Sequence, residues 1–239
     1  MDRYWFFTWR TYGTWLPGEP GFVGYYAAPD GKRAIDNTPG QPTTEPMLPL
    51  AAHARDAQLA PAVFLTLAQA EAILAQLLET AEYRGRQVDA IAIMRDHVHI
   101  VFGVVGDPDP DVTLSDWKAY ASCALNRMTQ VNSEREQQGE IVATMPDVQQ
   151  RGETKRRQRA TRAHWWAENG STRPLKNPDS RVAAICYTHD QENPLIVWLS
   201  EEAQRLVSEH PVANAPGSPK PVADDSERRS GEPGALATG

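Results

Sequence analysis

Cysteine is nearly missing from this 239-residue chain: only Cys123 and Cys186 occur, each within a helical pattern and without Cys-x-x-Cys spacing. That excludes a disulfide framework and a thiolate zinc cage, and it points away from redox chemistry. No apolar run approaches the roughly 18 residues of a membrane span. The opening Met1-Asp2-Arg3-Tyr4-Trp5-Phe6-Phe7 lacks the basic, apolar, then small order of a signal peptide. The expected setting is therefore the cytoplasm, with no membrane partner. Basic charge is not in excess either: the net charge of -7 argues, taken alone, against a broadly basic nucleic-acid-binding surface. No internal repeat stands out.

What is present is unevenly placed. Residues 200–239 carry Glu201, Glu202, Glu209, Asp224, Asp225, Glu227 and Glu232, whereas residues 151–162 carry Arg151, Lys155, Arg156, Arg157, Arg159 and Arg162 against Glu153 alone. This basic run stands just before Trp165-Trp166. Such a juxtaposition suits phosphate contact and base stacking, and as a bare charge run it equally suits a solvated loop. A hydrophobic content of 41% supports a sizeable core.

Residues 4–12 are aromatic and β-prone and read as a first strand. Residues 17–62, rich in Pro, Gly and Ala, read as a long irregular excursion. Helical periodicity through Leu67, Ala70, Ile73, Leu74, Leu77, Leu78 and Ala81 predicts a helix over 66–83, with Thr66 as N-cap and Gly85 as stop. Residues 88–94 and 97–104 predict two strands joined by a tight turn at Arg95-Asp96. A helix over 113–128 follows, N-capped by Thr113, and the polar stretch 133–160 reads as an insertion. His164-Trp165-Trp166 predicts a short strand, Gly170-Ser171 a turn, and Pro178-Asp179-Ser180 the start of a helix to about Gln191. Residues 194–209 predict a closing strand-helix piece, and 211–239 a disordered tail. This order predicts one α+β domain over 1–210, an antiparallel sheet with helices on one face, arranged in ferredoxin-like fashion.

The chemistry-bearing residues begin with His97-Val98-His99. Alternation along a strand puts both imidazoles on one face, which makes half of a metal site, or two ordinary histidines. On the late helix, Tyr187 and Gln191 are four residues apart and so share a face. A phenol is a weak nucleophile at neutral pH, since its ordinary pKa is about 10, and needs an activated electrophile. Gln191 supplies an amide oxygen as a third ligand beside His97 and His99. Tyr120 competes as nucleophile, but its partner four residues on is Ala124. His164 and His189 read as ordinary histidines.

Several segments resemble the single-tyrosine HUH transposases of bacterial insertion sequences, and more closely their REP-associated tyrosine transposase relatives. Thr8-Trp9-Arg10-Thr11-Tyr12-Gly13-Thr14-Trp15-Leu16-Pro17-Gly18 is similar to the opening strand and turn of one REP-associated branch. Met94-Arg95-Asp96-His97-Val98-His99-Ile100-Val101 resembles the family's Met-Pro-Asn-His-Val-His-Leu pattern, with Arg95-Asp96 in place of Pro-Asn, a change expected to alter only the turn. Lys118-Ala119-Tyr120 and Leu125-Asn126 resemble the helix that follows. Trp165-Trp166 through Gly170-Ser171-Thr172-Arg173-Pro174-Leu175 resembles the segment before the catalytic helix, which residues 181–191 match.

The resemblance implies an HUH endonuclease of RRM-like fold that cuts and rejoins single-stranded DNA. In this family a tyrosine, here Tyr187, attacks a backbone phosphate to give a 5′-phosphotyrosine and a free 3′-hydroxyl. Mg²⁺ or Mn²⁺, held by His97, His99 and Gln191, polarises that phosphate; two imidazoles alone would also accept Zn²⁺ or Ni²⁺. Lys118, Arg156, Arg157, Arg159 and Arg173 are the candidate phosphate contacts, and Trp165 and Trp166 are candidates for base stacking or for the core. The implied partners are single-stranded or hairpin DNA and a second copy of the chain, in a bacterial cytoplasm or on its nucleoid. Two rivals are a domesticated, catalytically silent hairpin binder and an RNA-binding ferredoxin-like module, which needs exposed aromatics on its central strands.

Overall fold

The computed structural model describes residues 1–19, 22, 25–27, 33–35, 46–143 and 164–210. Along the chain run β1 (Arg3–Thr11), β2 (Tyr25–Ala27), β3 (Arg33–Ile35), α1 (Leu48–Asp56), α2 (Leu67–Tyr83), β4 (Gln87–Ile93), β5 (His97–Val104) and α3 (Pro110–Ala143). They are followed by β6 (Trp166–Leu175), α4 (Pro178–His189), β7 (Ile196–Leu199) and α5 (Glu201–Glu209). The architecture is α+β, built on a five-stranded antiparallel sheet of order β6-β1-β5-β4-β7. Among the described residues no helix is long and apolar enough to cross a membrane.

The period-two pattern of β1 divides the molecule. Trp5, Phe7, Trp9 and Thr11 are buried on one face, whereas Tyr4, Phe6, Thr8 and Arg10 are half-buried on the other. Against the first face α2 and α3 bring Ile73, Leu77, Leu114, Trp117 and Leu125, closing a core with Val98, Ile100 and Phe102 of β5. Each such large apolar side chain taken from water stabilises the fold by about 1.5–3 kcal/mol. Against the second face α4 and α5 bring Ala184, Ile185 and Ala203 to meet Ala90, Val101 and Leu175. Helices thus cover both faces, not the one expected, because the second face is itself apolar at Ala90, Val101 and Phe6 and α4 carries its own apolar stripe.

Local chemistry sets the boundaries. Thr66 and Gln69 form a reciprocal capping box at the start of α2. At its end Gly85 takes φ +62°, and the amides of Gly85 and Arg86 reach the carbonyls of Glu82 and Ala81 at 3.1 and 2.8 Å, a Schellman ending. α3 starts earlier than expected: the Asp109 carboxylate caps the amides of Asp111 and Val112 at 2.8 and 3.0 Å. Thr113, assigned that role from sequence, lies one turn in and donates its hydroxyl to the Asp109 carbonyl. The helix then continues through Ala143 into the stretch read as an insertion, whose residues 144–160 lie outside the described residues, as does the tail from 211. The excursion at 17–62 holds the β2-β3 ladder and α1.

Gly170-Ser171 is no turn. Both residues sit inside β6, paired with Trp9 and Thr8 of β1. A Cβ at Gly170 would stand 2.7 Å from the Thr8 carbonyl oxygen and 2.8 Å from Leu114 Cδ2, so glycine serves close approach here. The expected strand and turn are one long edge strand, whose edge position also admits Pro174.

Candidate active site

The Arg95-Asp96 turn closes with the Met94 amide donating to the His97 carbonyl at 2.8 Å, so β5 begins at His97. Alternation sends Val98, Ile100 and Phe102 to the α2-α3 core and His97 and His99 to the α4 face. The two rings stand 4.7 Å apart, nearly perpendicular at 83°. Each is held by its Nδ1: that of His97 donates to the Asp96 carboxylate at 2.6 Å, and that of His99 lies 2.7 Å from the Thr8 hydroxyl. β1 supplies Thr8 because its register sets Thr8 opposite His99 and Arg10 opposite His97.

His99 is 4% exposed, and its Nε2 is buried without a hydrogen-bond partner among the described residues. Burial pushes its pKa down to about 3, helped by the charges of His97 and Arg10; Asp96 and the nearby Gln191 amide act the other way. The ring is neutral near pH 7. With Thr8 accepting from Nδ1–H, the Nε2 lone pair is what a metal ligand requires, and a hydroxyl or carboxylate on the far nitrogen is the usual means of orienting such a ligand.

α4 brings the phenol. Asn177 and Ser180 form a capping box with Pro178 in the first turn, which fixes where the helix starts. Arg181 fixes its rotation: Nε and Nη2 donate to the two oxygens of the fully buried Asp89 carboxylate at 2.7 Å each, and Nη1 reaches Glu202 of α5 at 3.1 Å. Asp89 is the extra residue of a β-bulge, between the pairs Val88↔Phe102 and Ala90↔Val101; the bulge turns its carboxylate toward α4. With Ala184 and Ile185 inward, Tyr187 faces the histidines edge-on, 5.5 Å from the His99 ring and 5.7 Å from Phe6.

Gln191 is not on the helix, as the spacing had predicted. α4 ends at His189, and Asn193 at φ 54° followed by Pro194 turns the chain toward β7. The residue still reaches the site, because its Nε2 donates to the Tyr187 carbonyl at 2.8 Å and its side chain lies by His99. The four residues singled out from sequence therefore converge.

Three others join them that sequence reasoning missed. Thr8 and Asp96 orient the rings, and Arg10 lies 4.0 Å from Asp96, its pKa lowered to about 10 chiefly by burial, with the charges of Asp96 and Tyr187 opposing. The expectation that Asp96 would affect only the turn fails: its carboxylate binds His97, and its backbone carbonyl accepts from the Thr11 amide and hydroxyl at 2.8 and 2.9 Å. An acid directly before a strand histidine, and the alternation of Phe6, Thr8 and Arg10, were the available signals.

Other assignments do not reach the site. Lys118 lies on the opposite side of the sheet, donating to the carbonyls of Ala167 and Glu168 at 2.5 and 2.8 Å. Trp165 and Trp166 are 7% and 9% exposed core residues whose indole N–H groups donate to Asn126 and to Ser122 and Lys118. They offer no base-stacking surface, because α3 supplies polar partners that let indoles pack inward. Tyr120 lies by Arg84, His164 stacks on Tyr12, and His189 pairs with Asp190. Arg173 does share the site face: it is exposed, opposite Phe6 in register, and its guanidinium lies over that ring. Arg156, Arg157 and Arg159 lie outside the described residues.

No group of three His, Cys, Asp or Glu side chains suited to a metal occurs among the described residues. A cation here would draw on two imidazoles and the Gln191 amide oxygen, a mixed nitrogen-oxygen set open to further oxygen ligands from a substrate, and the orphaned His99 Nε2 fits that use. Two concavities, of about 440 and 360 Å³, lie elsewhere: between α2 and α3, and around Trp15 and α1. Comparison with family models, curated proteins and solved structures finds no match to this chain.

Proposed function

We propose that this chain is a divalent-metal-dependent nuclease and strand transferase for single-stranded DNA, of the single-tyrosine HUH type and related to REP-associated tyrosine transposases. The observation that carries the reading is the placement of the Tyr187 ring 5.5 Å from an imidazole whose Nδ1 is held and whose Nε2 has no hydrogen-bond partner among the described residues. The strand order β6-β1-β5-β4 is compatible with a ferredoxin-like fold carrying β7 as an added edge strand.

In this reading Tyr187 Oη attacks phosphorus, a new P–O bond to the phenol forms, and the bond from phosphorus to the 3′-oxygen breaks. The phenol gives up its proton, the departing 3′-oxygen gains one, and the 5′-phosphate stays on the protein. Attack by a 3′-hydroxyl reverses these steps and rejoins DNA. Thr8 and Asp96 hold His97 and His99 in orientation, and α4, clamped by Arg181, keeps the nucleophile over them. His97, His99 and Gln191 would hold Mg²⁺ or Mn²⁺, which polarises the phosphate as a Lewis acid. Hairpin-associated DNA is the proposed substrate, a homodimer the proposed assembly, and the bacterial cytoplasm and nucleoid the proposed setting.

Incubation with a library of hairpin-bearing single-stranded oligonucleotides and Mn²⁺ tests this. The wild-type chain should form a covalent protein-DNA adduct that survives denaturation, and Tyr187→Phe should form none. An adduct with Tyr187→Phe overturns the nucleophile assignment, and binding without adduct in the wild type makes the chain a silent hairpin binder.

A further inference from the structure

We propose that Arg10 is a phosphate-binding residue of this site, receiving a backbone phosphate of single-stranded DNA beside the Tyr187 phenol. The inference rests on the proposed function for the substrate's identity, but its observations are separate. Arg10 is on the site face of β1, opposite His97 in register. Its side chain is 28% exposed, so the guanidinium is partly stripped of water yet still open on one side.

A guanidinium has five N–H donors and no way to become neutral near pH 7. Arg10 uses none of them in a hydrogen bond to a described residue; its nearest anion is Asp96, at 4.0 Å. That carboxylate is committed to His97 Nδ1 at 2.6 Å. The contrast with Arg181 is informative, because there every terminal nitrogen is engaged by Asp89 or Glu202. Arg181 is a completed structural ion pair, whereas Arg10 meets only a distant carboxylate among the described residues.

Its position is nonetheless fixed. The guanidinium lies over the Trp15 indole, and stacking of this kind orients the planar fork while leaving its edge free. That edge is what binds a phosphate in bidentate fashion. Its register partner His97 stands 4.7 Å from His99, and His99 5.5 Å from Tyr187, so an anion bound at Arg10 lies on the same face as the phenol. Arg173, exposed over Phe6 on the adjacent strand, continues the positive track across the same face.

The test uses the full chain as wild type, Arg10→Gln and Arg10→Lys, with thermal melts to compare their folding. Binding of a fluorescent random-sequence single-stranded oligonucleotide pool is followed by anisotropy over a range of KCl, with chelator present. Arg10→Gln should weaken binding roughly tenfold and reduce the slope of log K against log salt by about 0.7, the loss of one phosphate contact on a single strand. Arg10→Lys should keep the slope, since the charge remains, while losing affinity with the fork. If Arg10→Gln melts far below wild type, Arg10→Lys decides alone, by that same split. An unchanged slope and affinity in both variants overturns the proposal, as does a wild-type chain that does not bind the pool. The adduct assay separates the two readings. Salt-dependent loss at Arg10 in a chain that forms no adduct leaves the phosphate site standing and removes the nuclease; an adduct with Arg10-independent binding does the reverse.

Discussion

The two faces of the central sheet are made by the same strands and built to opposite ends. On the face toward α2 and α3, β1 places Trp5, Phe7 and Trp9, all buried. On the face toward α4 it places Phe6, Thr8 and Arg10, all half-buried, and β5 adds His97 and His99. On the first face Trp165, Trp166 and Lys118 close their hydrogen bonds with α3 and β6, while the indole nitrogens of Trp9 and Trp117 are buried without one among the described residues. On the second, the Nε2 of His99 has no hydrogen-bond partner among the described residues, and Arg10 meets the Asp96 carboxylate only at 4.0 Å. The buried aromatic side chains of β1 lie on one side, and the histidines and Arg10 are gathered on the other.

The comparison breaks most sharply at neighbours in sequence. Trp9→Ala removes a fully buried indole and should cost about 3–5 kcal/mol in denaturant unfolding. Asp89→Ala should cost about 3 kcal/mol, toward the lower end for a broken buried ion pair, because Arg181 keeps Glu202. It should also slow adduct formation, since Arg181 sets the rotation of the tyrosine helix. Thr8→Ala, one residue from Trp9 but on the other face, should cost only about 1 kcal/mol, yet lower adduct formation roughly 10- to 100-fold by releasing the His99 ring. An equal stability cost at Trp9 and Thr8 would erase the distinction between the faces.

A pH dependence sharpens it. Burial lowers the Lys118 pKa to about 8 from its ordinary 10.5, with Glu168 opposing. Between pH 8 and 10.5 the unfolded chain therefore holds more protons at this position than the folded one, and stability rises with pH there. The unfolding free energy of wild type relative to Lys118→Met should climb across that window and be flat below it.

How much of this was legible follows from the range of each interaction. The α2 cap and the β4-β5 hairpin are encoded by adjacent residues and were read correctly. The histidine pair was visible because alternation is local, and Tyr187 and Gln191 because they lie four residues apart. Thr8 and Arg10 were invisible as site residues because only the β1-β5 register brings them to the histidines. Gly170-Ser171 misled because a glycine demanded by a close neighbour looks the same as one demanded by a turn. Trp165-Trp166 misled because the polar atoms that let them go inward belong to a helix some 40 residues earlier.

The Thr8-His99 contact, 91 residues apart along the chain, also bears on the order of events in folding. Loops of that size close late relative to local helices and hairpins. The β4-β5 hairpin can present both imidazoles early, but they are unoriented until β1 docks, and the phenol arrives only when α4 settles against the finished sheet. A nascent or partly unfolded chain thus carries the histidines without the assembled centre, so under the proposed function strand cleavage is withheld until the fold is complete.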